Sequence, residues 1–240
     1  MQLSRILTVC LILVTGFATS TLAQVQDGYD YETEFLWGVN KNTSGGLIGG
    51  FIFKKSFKMS DRMLQSFGLE IMNVRHPQEV RYSSPYGNYF TFGKKNYLYT
   101  FRLQYGRDII LFKKAPQQGV EIKAVFAAGP SIGLEAPYYV EYQVSSTVSR
   151  REQYNENMLR PQILGPGRLL QGLGESKIVP GLNFKAALNF ELGIFKSQVT
   201  GFEAGVLVDV YARKIDMMAL AKNNSTFPTL FLSIFFGNRK

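Results

Sequence analysis

The sequence predicts an all-β protein, an eight-stranded antiparallel transmembrane β-barrel of up-and-down topology, exported behind a cleaved signal peptide. Three observations carry this reading. Segments of about the 9 to 11 residues that a tilted membrane strand needs alternate apolar and polar residues along the chain. There are eight of them, an even number as in bacterial single-chain barrels. The connections at one end are all fairly short, while two of those at the other are long, which is the asymmetry of periplasmic turns and external loops.

The N-terminus reads as a signal peptide over residues 1–23. Arg5 precedes the apolar run Ile6 to Ala18, and the small-residue stretch Thr19 to Ala23 follows, with the cut expected between Ala23 and Gln24. A retained anchor would need roughly 20 consecutive apolar residues; this run of 13 is interrupted by Thr8, Thr15 and Gly16. Cys10 lies inside the apolar run behind Val9, which argues against a lipoprotein signal. Cleavage removes the only cysteine, so the mature chain, residues 24–240, has no disulfide to rely on in an oxidising compartment. It also removes Arg5 and no acid, leaving 26 basic side chains against 18 acidic ones, a formal +8.

The first strand is expected from Tyr29 to Asn40, with Tyr31, Thr33, Phe35, Trp37 and Val39 on one face and Glu32, Glu34, Leu36 and Gly38 on the other. The second, Leu47 to Lys55, groups Leu47, Gly49, Phe51 and Phe53, and the third sets Phe67, Leu69 and Ile71 against Ser66, Gly68 and Glu70. In the fourth, Tyr97, Tyr99, Phe101, Leu103 and Tyr105 oppose Thr100, Arg102 and Gln104. The fifth, from Val120 to Ala128, turns Glu121 and Lys123 to its polar face; the sixth, Leu182 to Glu191, turns Lys185, Asn189 and Glu191. The seventh, Phe202 to Val210, turns Glu203, Gly205 and Asp209. The eighth, Thr229 to Phe236, is apolar on both faces, so its register is not readable.

If the apolar faces meet lipid, the charged residues Glu32, Glu34, Glu70, Arg102, Glu121, Lys123, Lys185, Glu191, Glu203 and Asp209 lie in the lumen. An eight-stranded barrel is just wide enough to be filled by side chains, so the expected interior is a packed polar network and not a pore. In a soluble barrel or sandwich the same faces would be reversed and these charges would meet water. Short turns are expected at Ser56–Arg62, Asp108–Gln118 and Lys196–Thr200, with long external loops at about 74–96 and 133–181. Tyr97 and Tyr105, eight residues apart, are expected to mark the two membrane interfaces: at roughly 3.4 Å per residue and a tilt of about 40° they span about 21 Å.

The stretches Leu111 to Ile122, Gly129 to Tyr139 (GPSIGLEAPYY), Val179 to Lys185 (VPGLNFK) and Phe235 to Arg239 resemble an uncharacterised family of outer-membrane β-barrel proteins from Bacteroidetes-type bacteria. The resemblance covers most of residues 29–240 and implies architecture and a bacterial outer-membrane location; it implies no catalytic residues.

Chemistry is sparse. His76 is the only histidine, ahead of Pro77 at the start of a long loop, and Ser83 and Ser84 share no readable strand face with it; a base beside a nucleophile is what a barrel hydrolase would need. One histidine and no mature cysteine give no transition-metal set, and the glycine-rich run Leu164 to Gly174 lacks the Lys-Ser/Thr of a phosphate loop. No cofactor is expected. Nucleic acid is not an expected partner for an exported barrel. The excess of positive charge fits interfacial anchoring, and Arg75, Arg81, Lys94 and Lys95 in the first long loop are candidate contacts for outer-leaflet glycolipid phosphate. The leading expectation is a non-enzymatic outer-membrane barrel acting through its external loops, as a structural, surface-interaction or assembly component with lipid and an outer-membrane protein as partners. A narrow solute channel is the alternative, and a lipid-acting barrel enzyme the third. The loop from Gly133 to Gly181 is expected to fold as a cap over the mouth, with a strand at Pro137 to Val144.

Overall fold

The computed structural model describes residues 31–45, 49–113, 119–145, 148–168, 171–192 and 198–240. The signal-peptide segment, Leu47, Leu169, Leu170 and Lys196 lie outside the described residues. The strands are β1 (Thr33–Asn42), β2 (Gly50–Ser60), β3 (Met63–Val74), β4 (Arg81–Ser83), β5 (Tyr89–Thr91), β6 (Asn96–Phe112), β7 (Val120–Pro137), β8 (Tyr139–Ser145), β9 (Val148–Gln153), β10 (Ile163–Pro166), β11 (Lys177–Leu192), β12 (Gln198–Tyr211) and β13 (Thr226–Arg239).

Eight of these close into an antiparallel barrel in the order β1-β13-β12-β11-β7-β6-β3-β2. The seam pairs the first strand with the last, from Glu34 opposite Arg239 to Asn42 opposite Phe231. Closure leaves no sheet edge, so the backbone donors and acceptors of the wall are paired within it. Each of the eight alternating segments of the sequence falls on one barrel strand, but the strand ends do not coincide. β2 continues through Ser60 and reverses over Asp61 and Arg62, β6 runs on to Phe112, and β7 runs on to Pro137. Ser56 and Asp108, expected at the start of short turns, are buried on the lumen face. In a filled polar lumen, polarity marks the inward position as readily as a turn.

The two faces decide which solvent surrounds the barrel. Phe35 and Trp37 on β1, Phe51 on β2, Phe67 on β3, Leu103 on β6, Phe126 on β7, Phe184 on β11, Val206 on β12 and Ile234 on β13 are all exposed, while Glu34, Glu70, Arg102, Lys123, Lys185, Glu203 and Asp209 are buried. An apolar belt that continues around the whole circumference far exceeds the few hundred Å² that soluble monomers expose. A closed wall with that belt outside and charge inside is built for hydrocarbon, and the soluble alternative, which needs the opposite orientation, does not apply. Among the described residues no helix is long and apolar enough to cross a membrane; the crossing elements are strands. The register of β13 is now defined. Phe227, Thr229, Phe231, Ser233 and Phe235 point inward, and Leu230, Leu232, Ile234 and Phe236 face out. Its inward rings fill two apolar layers: Phe231 with Val125, Ala187 and Leu207, and Phe235 with Leu36, Ile52, Met72 and Val199.

The strand ends at Ser60 and Met63, Phe112 and Val120, and Leu192 and Gln198 share one end of the barrel with both chain ends of the wall; those at Asn42 and Gly50, Val74 and Asn96, Pro137 and Lys177, and Tyr211 and Thr226 share the other. At this second end two apolar clusters form. In the first, the inward residues Val74, Leu98, Val179, Tyr211 and Phe227 close around Ile215, Met217 and Met218 of the 212–225 connection, which stoppers the lumen. The second, built on Phe90, Tyr138, Val140, Tyr154, Met158 and Ile163, joins the two long loops into a head. It carries the three-stranded sheet β10-β8-β9, so the strand expected at Pro137 to Val144 is present as β8. The stopper, however, comes from a connection of 14 residues that the sequence did not single out. Tyr97, on the outward face of β6, packs edge-on to Tyr138 at 5.2 Å beneath the head.

Candidate functional site

The lumen holds a stack of ion pairs. Nearest the head, Arg102 of β6 donates Nε and Nη2 to the two carboxylate oxygens of Asp209 on β12, at 2.9 and 2.5 Å, and reaches Glu70 of β3 at 3.2 Å. In the next layer Lys185 of β11 lies 2.7 Å from Glu70 and 2.6 Å from Glu203, and Lys54 of β2 lies 2.6 Å from Asp108. Nearest the turns, Lys123 of β7 lies 2.8 Å from Glu34 and 3.2 Å from Glu121, while Arg239 of β13 pairs with Glu121 at 3.1 Å and with Glu191. Tyr31 donates its hydroxyl to Glu121, and its ring lies under the Arg239 guanidinium at 3.9 Å. Among the described residues the middle of the lumen keeps a cavity of about 20 Å³ lined by Lys54, Glu70, Gln104, Lys185 and Glu203, room for about one water.

Nine of the ten charged residues expected in the lumen are there, and Glu32 is not. It is exposed, because β1 begins at Thr33 and the alternation carried back past that point inverts: Tyr31, expected on the outer face, enters the lumen instead. The sequence set was short of cations, with Arg102, Lys123 and Lys185 facing seven acids. Lys54, Asp108 and Arg239 complete it, giving five bases and seven acids with Glu32 excluded. Asp108 and Arg239 were hidden by strand ends set too short, at Tyr105 and Phe236, whereas Lys54 lies within the expected second strand, on a face it shares with Gly50 and Ile52 that does not read as polar.

A second constellation lies at the external rim, where Thr43 and Gly45, the connection 75–95 and the head enclose an open cleft of about 590 Å³. Arg75, His76, Glu79, Arg81, Lys94, Asn73, Tyr97 and Tyr138 are among its lining. Lys94 is buried; its Nζ lies 2.8 Å from Glu79 Oε1 and 4.4 Å from the centre of the Tyr97 ring. Burial, with Arg75 and Arg81 adding to it, holds the Lys94 amine below its ordinary range, against the pull of Glu79. Arg75, Arg81 and Lys94 thus share one cleft, whereas Lys95 does not line it and instead ties its backbone to Met217 and Tyr138.

His76, at the start of the first long loop, is buried. Its Nδ1 accepts from the Gln78 amide, so Nε2 carries the proton and donates to the Lys222 carbonyl at 3.2 Å. Both nitrogens are engaged in holding one loop to another. Ser84 Oγ accepts from the amides of Tyr86 and Asn88 within its own turn. Among the described residues no group of three or more His, Cys, Asp or Glu is arranged to hold a metal ion.

A closed, filled, lipid-facing barrel with short turns at one end and structured loops at the other is the architecture of bacterial outer-membrane proteins. No family model matches the chain. No curated protein matches it. Among solved structures it is similar to Ail, the attachment invasion locus protein of Yersinia pestis, at 10% identity and a TM-score of 0.41 over 88% of this chain and 100% of that one; Ail is also known in complex with the heparin analogue sucrose octasulfate. Neisserial surface protein A matches at 9% identity and a TM-score of 0.38, over 89% of this chain and 98% of that one. The N-terminal β-barrel domain of OprF from Pseudomonas aeruginosa matches at 9% identity and a TM-score of 0.35, over 88% of this chain and 100% of that domain.

Proposed function

We propose that the mature chain is a sealed, non-enzymatic barrel of the bacterial outer membrane, of the Bacteroidetes-type family its motifs resemble. In this reading it works through its external head as a surface-interaction or assembly component, with outer-membrane lipid and an outer-membrane protein as partners. One observation carries the reading: the lumen is blocked twice, by ion pairs along its length and by the apolar stopper at its mouth, while the loops fold into an ordered head with an open polar cleft. A conduit has no use for a plugged lumen, and a lid without a ligand has no use for a cleft. Both ring nitrogens of His76 are engaged, which leaves Ser83 and Ser84 without a free base and argues against the hydrolase alternative.

The test is electrical and biochemical together. The protein purified from outer membrane, shifting in mobility between unheated and heated gel samples, should insert into planar bilayers without sustained conductance. Ohmic, size-selective currents at modest voltage would replace this reading with the channel, and Arg102→Ala should then change ion selectivity.

A further inference from the structure

The external cleft sits on the lipid side of the wall. Side chains alternate across a strand, so Asn73 of β3 and Tyr97 of β6, which line the cleft, point away from the lumen, while their neighbours Val74 and Leu98 point in and join the stopper. β3 and β6 are paired. Going down the wall from the cleft, the register sets Asn73 opposite Tyr99, Ile71 opposite Phe101, Leu69 opposite Leu103 and Phe67 opposite Tyr105. The last three pairs form an apolar stripe that joins the cleft to the hydrocarbon-facing belt, with Phe67, Leu103 and Tyr105 exposed.

The charge of the cleft is not balanced. Arg75, Arg81 and Lys94 face Glu79 alone, a formal +2, and Glu79 Oε1 already accepts from Lys94 Nζ and from the His76 amide at 3.1 Å. Among the described residues neither Arg75 nor Arg81 forms an ion pair. Guanidinium groups match phosphate oxygens two at a time. In the same wall the buried side-chain oxygen of Asn73 has no hydrogen-bond partner among the described residues, an acceptor placed for an O–H or N–H donor.

We propose that this cleft binds the phosphorylated sugar headgroup of an outer-leaflet glycolipid. Arg75 and Arg81 hold the phosphate, Lys94 supplies the positive field behind it, Asn73 accepts from the sugar, and an acyl chain lies along the Ile71–Phe101 to Phe67–Tyr105 stripe. The proposal rests on the membrane-embedded, loops-outward reading above and narrows its partner to one lipid chemistry at one place. Lys95, expected from sequence to share the contact, has no part in it. An apolar lipid would need no arginines.

The experiment uses the mature protein in neutral detergent, with bis-phosphorylated lipid A, its phosphate-free counterpart and inorganic phosphate as probes, read by native mass spectrometry and titration. Lipid A should be retained at one per barrel, with the phosphate-free lipid and inorganic phosphate at least tenfold weaker. Arg75→Gln with Arg81→Gln should lose at least tenfold in affinity, and Leu103→Thr severalfold. Arg150→Gln with Arg151→Gln, the same charge change on β9, should lose nothing. Equal losses from the two arginine pairs would overturn the site in favour of diffuse charge, and equally tight inorganic phosphate would make it a free-anion pocket. Each variant is first checked for the gel shift of a closed barrel and for conductance. A barrel that conducts counts against the sealed reading, whereas a sealed barrel indifferent to lipid A counts against the cleft alone.

Discussion

Arg102 shows how charge is tolerated inside a barrel surrounded by hydrocarbon. Its fork is filled by Asp209 and Glu70, and all three are buried. Removing one member of such a set leaves an uncompensated charge, which typically costs about 3–5 kcal/mol, while replacing the whole set by apolar groups costs far less. Arg102→Met should therefore lower the unfolding free energy read from urea titration of the gel shift by about 3–5 kcal/mol, and adding Asp209→Leu should recover part of the loss; a single variant as stable as the parent would mean water reaches the site. Both residues were legible in the sequence, since each stands on the polar face within the alternating part of its strand. Asp108 was not, because β6 overruns the segment that alternation marks, and Lys54 was not, because the face it shares with Gly50 and Ile52 does not read as polar. Lys94 gives a second prediction. Burial sets its folded pKa below the unfolded value, so the native state binds that proton more weakly and stability rises with pH between the two, the upper being near 10.5. A bound phosphate acts in the opposite sense and favours the proton. With Glu79, Arg75, Arg81 and Tyr97 around it, lipid A affinity should fall as pH rises from neutral towards 10.5, and Lys94→Arg should flatten that slope.

At the scale of elements, the connection 212–225 is held by a few specific groups. Glu135, on the inner face of β7, accepts from Arg213 at 2.5 Å, from the Asp216 amide at 3.2 Å and from Asn96 at 3.0 Å. The Asn223 side chain accepts from the amides of Met217 and Met218 and donates to the Met218 carbonyl. Ile215 and Met217 are fully buried between the strand ends. Truncating two such side chains removes about 2–5 kcal/mol each from the docking of the segment. Ile215→Ala with Met217→Ala should therefore expose Arg213 and Lys214 to trypsin within minutes while the barrel keeps its gel shift; persistent resistance would mean that Glu135 holds the loop unaided. The long loop announced itself through its length and its strand-like run at 137–144, whereas this one was silent. Three or four apolar residues without periodicity in a short connection look like any loop, and only the five strand ends that converge on them make a core.

The whole molecule places two barriers in series. The stopper fills the external mouth with side chains that carry no charge, and below it the layers around Arg102, Lys185 and Lys123 cross the lumen one beneath another, each held from the wall by several strands. None of those ion pairs involves residues 212–225. An eight-stranded wall leaves an interior that its own side chains fill, and the remaining cavity beside Lys54 and Glu203 has room for about one water. Loss of the stopper should therefore not open a path. Deleting residues 214–222 should yield a protein that still migrates as a closed barrel and still gives no sustained conductance in planar bilayers, although its head is loosened. Small-solute flux into vesicles carrying the deletion should match that of empty vesicles. If instead the deletion alone produced steady ohmic current, the ion-pair layers would have to be permeable in the native protein, the stopper would be the gate of a channel, and the closed lumen would be a regulated state and not a consequence of how many strands the wall contains.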